Sequence, residues 1–238
     1  MPSTLTPRQL TGLDDSHLVT LADGHRLQAE VAQAFVALQA AAREAGFELA
    51  IASSFRSFSR QLSIWNGKAS GARPVHDDAG RALLMAPLSG REKLHAILRF
   101  SALPGTSRHH WGTDLDVYDA AAMPPGYPLQ LSPQEVAPGG LFDPLHRWLD
   151  ERMVAAESLG FYRPYSRDRG GVAPERWHLS YAPLSVGCAQ RCDSTMLVDC
   201  WDCGDETQAL LLREEIEADL DNLLARYVQV PEGWCPPP

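Results

Sequence analysis

Apolar residues recur along the chain in short periodic runs separated by polar connectors rich in glycine and proline. Leu27, Val31, Phe35, Leu38 and Ala42 repeat at helical spacing, and Gly46 can end that helix. Phe47–Ser54 (FELAIASS) reads as a strand running into a loop. Ser57 or Ser59 can cap a helix through Leu62 and Trp65, and residues 71–88 form a partly polar excursion. Ser89-Gly90-Arg91-Glu92 is a capping-box pattern, with Leu94, Ile97 and Leu98 following on one face until Leu103-Pro104-Gly105 stops the helix. Thr113–Asp119 (TDLDVYD) alternates as a strand, with Asp114, Asp116 and Tyr118 on one face and Leu115 and Val117 on the other. Asp143-Pro144 opens a helix, as N-cap and first-turn proline, that is expected to run through Leu145, Trp148, Leu149, Val154 and Ala156 to Gly160. FYRPY and RWHLSYA are aromatic and extended, and in the second Trp177, Leu179 and Tyr181 alternate with His178. Residues 206–228 read as one long acidic amphipathic helix with Ile216, Leu220, Leu223, Leu224 and Tyr227 on its apolar stripe, followed by a tail. This mixture predicts an α+β fold, a central and mainly antiparallel sheet with helices packed on one side.

Composition narrows the function classes. A length of 238 residues suits a single domain with a large core or one domain with an appendage. A net charge of −9 argues against an extended nucleic-acid footprint. No apolar run approaches the roughly 20 residues that span a bilayer. The N-terminus lacks a basic region followed by an apolar core, so a cytoplasmic location is expected, or a periplasmic or extracellular one if the N-terminus has been trimmed. Cys188, Cys192, Cys200 and Cys203 are spaced C-x3-C-x7-C-x2-C, with Cys235 apart. They read either as a structural zinc site or as small helix and loop thiols. The odd number leans towards a reducing compartment.

The chemistry concentrates in three stretches. In SRHHWGTDLDVYD, His109 can reach from a loop toward an aspartate of the strand, with Gly112 allowing the turn between them. Imidazole nitrogen and carboxylate oxygen suit zinc, and a catalytic zinc needs a third protein ligand and an open position. His178 can supply that ligand. Glu175, three residues earlier, can lie beside the metal without binding it and accept a proton from water. In ASSFRSFSRQ, Arg56 stands at a strand-to-helix junction where a guanidinium can clamp a carboxylate. Taken singly, each has a plainer reading: a hydrogen-bonded structural histidine, or a surface salt bridge for Arg56.

Together, Ser107-x-His109-x-x-Gly112-x-x-x-Asp116, Glu175-x-Trp177-His178 and Ser-Phe-Arg56-Ser-x-x-x-Gln61 resemble the zinc D-Ala-D-Ala carboxypeptidases. That family includes vancomycin-resistance-type D,D-carboxypeptidases and dipeptidases, L,D-carboxypeptidase relatives and endolysins, and shares a fold group with hedgehog and lysostaphin-like domains. The resemblance implies one zinc per chain on His109, Asp116 and His178. It implies Glu175 as general base and acid, and Arg56 contacting substrate or polarising the scissile carbonyl. It places Ser107 and Gln61 along the substrate's C-terminal end. The family usually has a small residue where Asp114 stands, and a second carboxylate there can accept a bond from a ligand histidine or a basic residue. The expected layout is one catalytic domain over 1–238, with a family-like core at about 27–183, a helical extension at 184–230 and a tail at 231–238. The expected substrate is a peptidoglycan stem peptide losing its C-terminal D-alanine. L,D-carboxypeptidase action in muropeptide recycling, an endolysin-like endopeptidase and a non-catalytic zinc module are the alternatives.

Overall fold

Alternation in TDLDVYD produces a strand at the centre of a four-stranded sheet. The structure, a computed structural model, describes residues 4–203 and 209–229. The expected tail, Cys235 and residues 206–208 of the expected long helix lie outside the described residues. The strands are β1 (Leu49–Ser53), β2 (Asp114–Asp119), β3 (Phe161–Tyr162) and β4 (His178–Tyr181), in the order β1-β2-β4-β3, every neighbouring pair antiparallel. The register sets Asp116 opposite His178 and Asp114 opposite Ser180. Between Ile51 and Ser53 the β1–β2 pairing shifts, an irregularity of the kind that re-aims a chain, and the loop carrying Arg56 follows.

The main helices are α1 (Ala29–Glu44), α2 (Phe58–Ala69), α3 (Gly90–Leu98), α4 (Asp143–Val154), α5 (Ser194–Asp202), α6 (Arg213–Glu217) and α7 (Leu220–Tyr227). Leu115, Val117 and Leu179 share one core with Val31, Phe35 and Leu38 of α1 and Leu145 and Leu149 of α4, so these two helices cover the apolar face of the sheet. A second core joins Trp65 of α2, Leu94 and Ile97 of α3, Trp111, Leu197 of α5, Ile216 of α6 and Leu220 and Leu224 of α7. The C-terminal helices therefore dock on the body. The expected caps form: Ser57 accepts from Arg60 N, and Ser89 and Glu92 make a reciprocal box. No helix among the described residues is long and apolar enough to cross a membrane.

The structure corrects four expectations. The helix opened at Asp143 ends at Val154, because Ala156 and Leu159 take left-handed φ angles of 57° and 55° before Gly160. Asp143 is its first residue and not its cap; its carboxylate accepts from Arg176 and from Gly139 N. The C-terminal run breaks between Glu217 and Leu220, where Asp219 turns its carboxylate to Arg91 and Asn222. Trp177 does not share the Leu179 core. It precedes β4, in a turn closed by His178 N donating to Glu175 O at 3.1 Å, and packs with Phe142 and Val136. The four described cysteines are free thiols, with Cys188, Cys192 and Cys200 buried and Cys203 exposed. Burial pushes the first three up in pKa, and among the described residues the cysteines do not converge as a group that could hold a metal ion.

Candidate active site

The polar face of the sheet opens on a cavity of about 630 Å³. Three pieces of chain bring the expected catalytic groups to it. The first is the single-turn helix Arg108–Trp111 and the start of β2. Gly112 joins them at φ 68°, a left-handed conformation that favours glycine, and a Cβ there would displace the side chain of Leu18. His109 and Asp116 project from either side of it into the cavity. The second is the Glu175–His178 turn, which puts Glu175 Oε2 3.7 Å from His178 Nδ1. The third is the loop after β1, tied to the first by Arg56 N donating to His109 O and by His110 Nδ1 donating to Arg56 O at 2.6 Å. Gly105 N donates to His110 Nε2, so His110 is a neutral brace between loops. Burial pushes its pKa down to about 3.

His109, Asp116 and His178 are all buried, and one ligand atom from each lies within 4.8 Å of the others. His109 Nε2 is 3.3 Å from Asp116 Oδ2, and His178 Nδ1 is 3.1 Å from Asp116 Oδ1. These are close approaches without hydrogen-bond alignment: Asp116 Oδ1 and His109 Nδ1 are buried with no partner. Buried polar atoms left unpaired are costly, and a cation among the three groups would relieve that cost. Two imidazoles and a carboxylate also match the donor set of a catalytic divalent site, so the residues fit a metal ion.

The charges are tuned around that point. Burial lowers the His109 pKa and outweighs Asp116, leaving a neutral imidazole. Burial alone would raise Asp116, yet the two histidines hold it far below the usual carboxylate range. His178 is pushed up to about 9; burial opposes this, but the hydrogen bond to Asp114 and the negative charges of Asp116 and Asp114 prevail. Its Nε2 donates to Asp114 Oδ1 at 3.0 Å, which turns Nδ1 toward Asp116 and Glu175. Asp114 also accepts from Arg108 Nε at 2.7 Å and from the Thr113 hydroxyl at 2.6 Å. Burial would raise its pKa, but Arg108 and His178 hold it at about 2. Arg108 is itself anchored on Tyr162 and Ser180 and stacked 4.6 Å over Trp111. Burial pushes Glu175 up to about 7, with Asp116 adding to the shift and His178, Arg56 and Lys68 opposing it.

Ser107 and Arg56 line the cavity, but Gln61 does not. The structure places Gln61 behind Arg56, fully buried, accepting from Arg56 Nη1 at 2.9 Å and donating to Ala102 O at 2.7 Å. It aims the guanidinium, whose Nη2 also reaches Ser53 Oγ at 3.3 Å. Sequence reasoning missed Arg108, Lys68, Ser101 and Tyr165, all on the cavity wall. Only Arg108 carried a signal, as the basic neighbour of His109 beside a second acidic residue.

Residues 24–184 match the family described as VanY, D-alanyl-D-alanine carboxypeptidase. Two uncharacterised Haemophilus influenzae proteins are similar. One is 52% identical over 103 residues, covering 42% of this chain and 70% of the relative. The other is 31% identical over 127 residues, covering 53% and 92%. Among solved structures, VanYB in complex with D-Alanine-D-Alanine shares the fold at a TM-score of 0.50 and 23% identity, covering 78% of this chain and 90% of that one. The LdcB LD-carboxypeptidase does so at 0.50 and 21%, covering 87% and 80%.

Proposed function

Because the chain belongs to the VanY family of D-alanyl-D-alanine carboxypeptidases, zinc metallopeptidases, we propose that it removes the terminal D-alanine from peptidoglycan stem peptides, with His109, Asp116 and His178 holding the zinc. Zinc held there would supply a Lewis acid that polarises the scissile carbonyl and makes water a better nucleophile. Glu175 takes a proton from the attacking water and passes it to the amine nitrogen of the leaving D-alanine as the C–N bond breaks. Its elevated pKa suits both halves of that shuttle, since a group near 7 gives up a proton as readily as it takes one. Arg56, held by Gln61 and Ser53, points its charge at the carbonyl oxygen where negative charge develops. Ser107 borders the same space.

The observation that carries this reading is the placement of Glu175. A carboxylate only 13% exposed stands 3.7 Å from a candidate ligand nitrogen, in one cavity with all three candidate ligands and Arg56. A merely structural metal site needs neither a proton carrier nor a guanidinium. Metal analysis tests the assignment: protein purified without chelator should carry one zinc per chain, and His109→Ala should abolish it. Full zinc content in that variant would move the site elsewhere.

A further inference from the structure

Lys68 is the one lysine on the cavity wall, at the C-terminal end of α2. Its ammonium is mostly buried, and burial lowers its pKa. Its single hydrogen bond goes to Ser101 Oγ at 2.6 Å, and among the described residues no carboxylate lies within ion-pair distance of it. The acidic groups lining the same cavity are already committed. Asp77 pairs with Arg81 at 2.7 Å, Asp116 lies among the histidines, and Glu175 stands beside His178. A cation withdrawn from water and given no anion is a cost the fold carries for a reason outside itself.

Arg56 and Lys68 are not equivalent. Arg56 precedes α2 and its backbone N donates to the carbonyl of the candidate ligand His109 at 3.2 Å, whereas Lys68 lies in the last turn of α2 and reaches Ser101. Arg56 therefore stands nearer the ligand triad and Lys68 farther along the wall. A carboxypeptidase substrate presents two acceptors in that order: the scissile carbonyl, then one residue on, the terminal carboxylate.

Resting on the carboxypeptidase reading, we propose that Lys68, with Ser101 beside it, binds the substrate's terminal carboxylate and thereby restricts cleavage to the last peptide bond. An ammonium suits this task because it stabilises a carboxylate far more than the uncharged amide of a continuing chain.

The test separates binding from turnover. In a zinc-loaded Glu175→Gln background, titration calorimetry compares a short peptide ending in D-Ala-D-Ala with its C-terminal amide. With Lys68 present the acid should bind at least tenfold tighter than the amide. Lys68→Met should bring the two within about threefold by weakening the acid alone, and Ser101→Ala should lie between. Zinc content and melting temperature show that each variant folds, and Ser101→Ala still decides the matter if Lys68→Met does not. Equal binding of acid and amide with Lys68 present overturns the proposal. So does an acid preference that survives both substitutions, or a loss on Lys68→Met that is equal for acid and amide, which would assign Lys68 to another carboxylate of the peptide. If the acid preference is Lys68-dependent but the zinc-loaded chain with Glu175 intact hydrolyses no such peptide, the carboxypeptidase reading fails and the Lys68 site stands.

Discussion

The Asp114 carboxylate holds the His178 imidazole through a 3.0 Å hydrogen bond to Nε2 while it pairs with buried Arg108 at 2.7 Å. One charge thus fixes which nitrogen faces the ligand triad and neutralises the cation beneath it. Asp114→Ala should lower zinc affinity about 10- to 100-fold and destabilise the fold by about 3–5 kcal/mol through the unpaired Arg108. Asp114→Asn keeps an acceptor for His178 and should lose less zinc affinity. Competitive chelator titration and denaturant unfolding measure the two effects. Unchanged affinity in the alanine variant would remove Asp114 from the site.

Glu175→Gln should keep its zinc and lose about 100-fold or more in turnover, because an amide cannot accept the proton. Steady-state kinetics alongside metal analysis check this. Near-normal turnover in the zinc-loaded variant would shift the proton carrier to another group on the cavity wall.

Metal uptake should be coupled to protons. In the metal-free protein His178 is pushed up to about 9, so below that pH zinc must displace its proton. Apparent affinity should rise by up to about tenfold per pH unit towards 9 and level off above it. The same shifts set the stability of the metal-free chain. The folded pKa of His178 exceeds its ordinary 6.5, so that stabilisation is full below 6.5 and is lost as pH rises through 9. Glu175 is raised from 4.5 to about 7, so the folded state binds more protons in that window and stability again falls with rising pH. Below 6.5 the buried histidines His109, His110 and His146, whose pKa values burial lowers, act in the opposite direction to Glu175, so the falling limb is confined to higher pH: the chelated protein should melt at progressively lower temperature from about pH 7 to 9, and zinc should flatten that trend. A melting temperature that rises from about pH 7 to 9 would contradict the His178 shift.

Arg56→Lys should lower kcat/KM on free-acid and amide peptides by the same factor, about 100-fold for loss of an oxyanion donor, with zinc content unchanged. A lysine cannot reach Gln61 and Ser53 together. Gln61→Leu leaves the guanidinium charged but unaimed and should reduce kcat with little effect on KM. A loss confined to the free acid would instead make Arg56 the carboxylate clamp.

Much of this site was legible because its information is local. The alternation of Asp114, Leu115, Asp116 and Val117 fixes which side chains share a face, and the Glu175–His178 interval fits one turn. The rest depends on how segments meet. Gln61 was expected along the substrate, yet its position on α2 directs it at Arg56 and Ala102 O. The burial of Arg108 depends on Tyr162, brought in by β3, and Ser180, by β4, both of which accept from its guanidinium. Lys68 carries no motif at all. Trp177 was assigned by extending strand alternation one residue too early, across a turn. The break at Asp219 was invisible because Ile216, Leu220 and Leu224 keep one periodicity whether the helix is continuous or broken.

The C-terminal helices are part of the core, so Leu224→Ala in α7, where the side chain is 2% exposed, should cost about 2–5 kcal/mol. Urea unfolding followed by tryptophan fluorescence reports it, since Trp65 and Trp201 belong to the same core. A loss below about 0.5 kcal/mol, the range of an ordinary surface change, would mean that α7 is not part of the cooperative unit.

The most direct measurement follows D-alanine release by the zinc-loaded protein from a stem pentapeptide ending in D-Ala-D-Ala and, in parallel, from the corresponding tetrapeptide. The account predicts one D-alanine per pentapeptide, little release from the tetrapeptide, loss of activity on chelation and recovery with one equivalent of zinc. Preferential cleavage of the tetrapeptide, cleavage at an internal bond, or no zinc-dependent release from either peptide would contradict it.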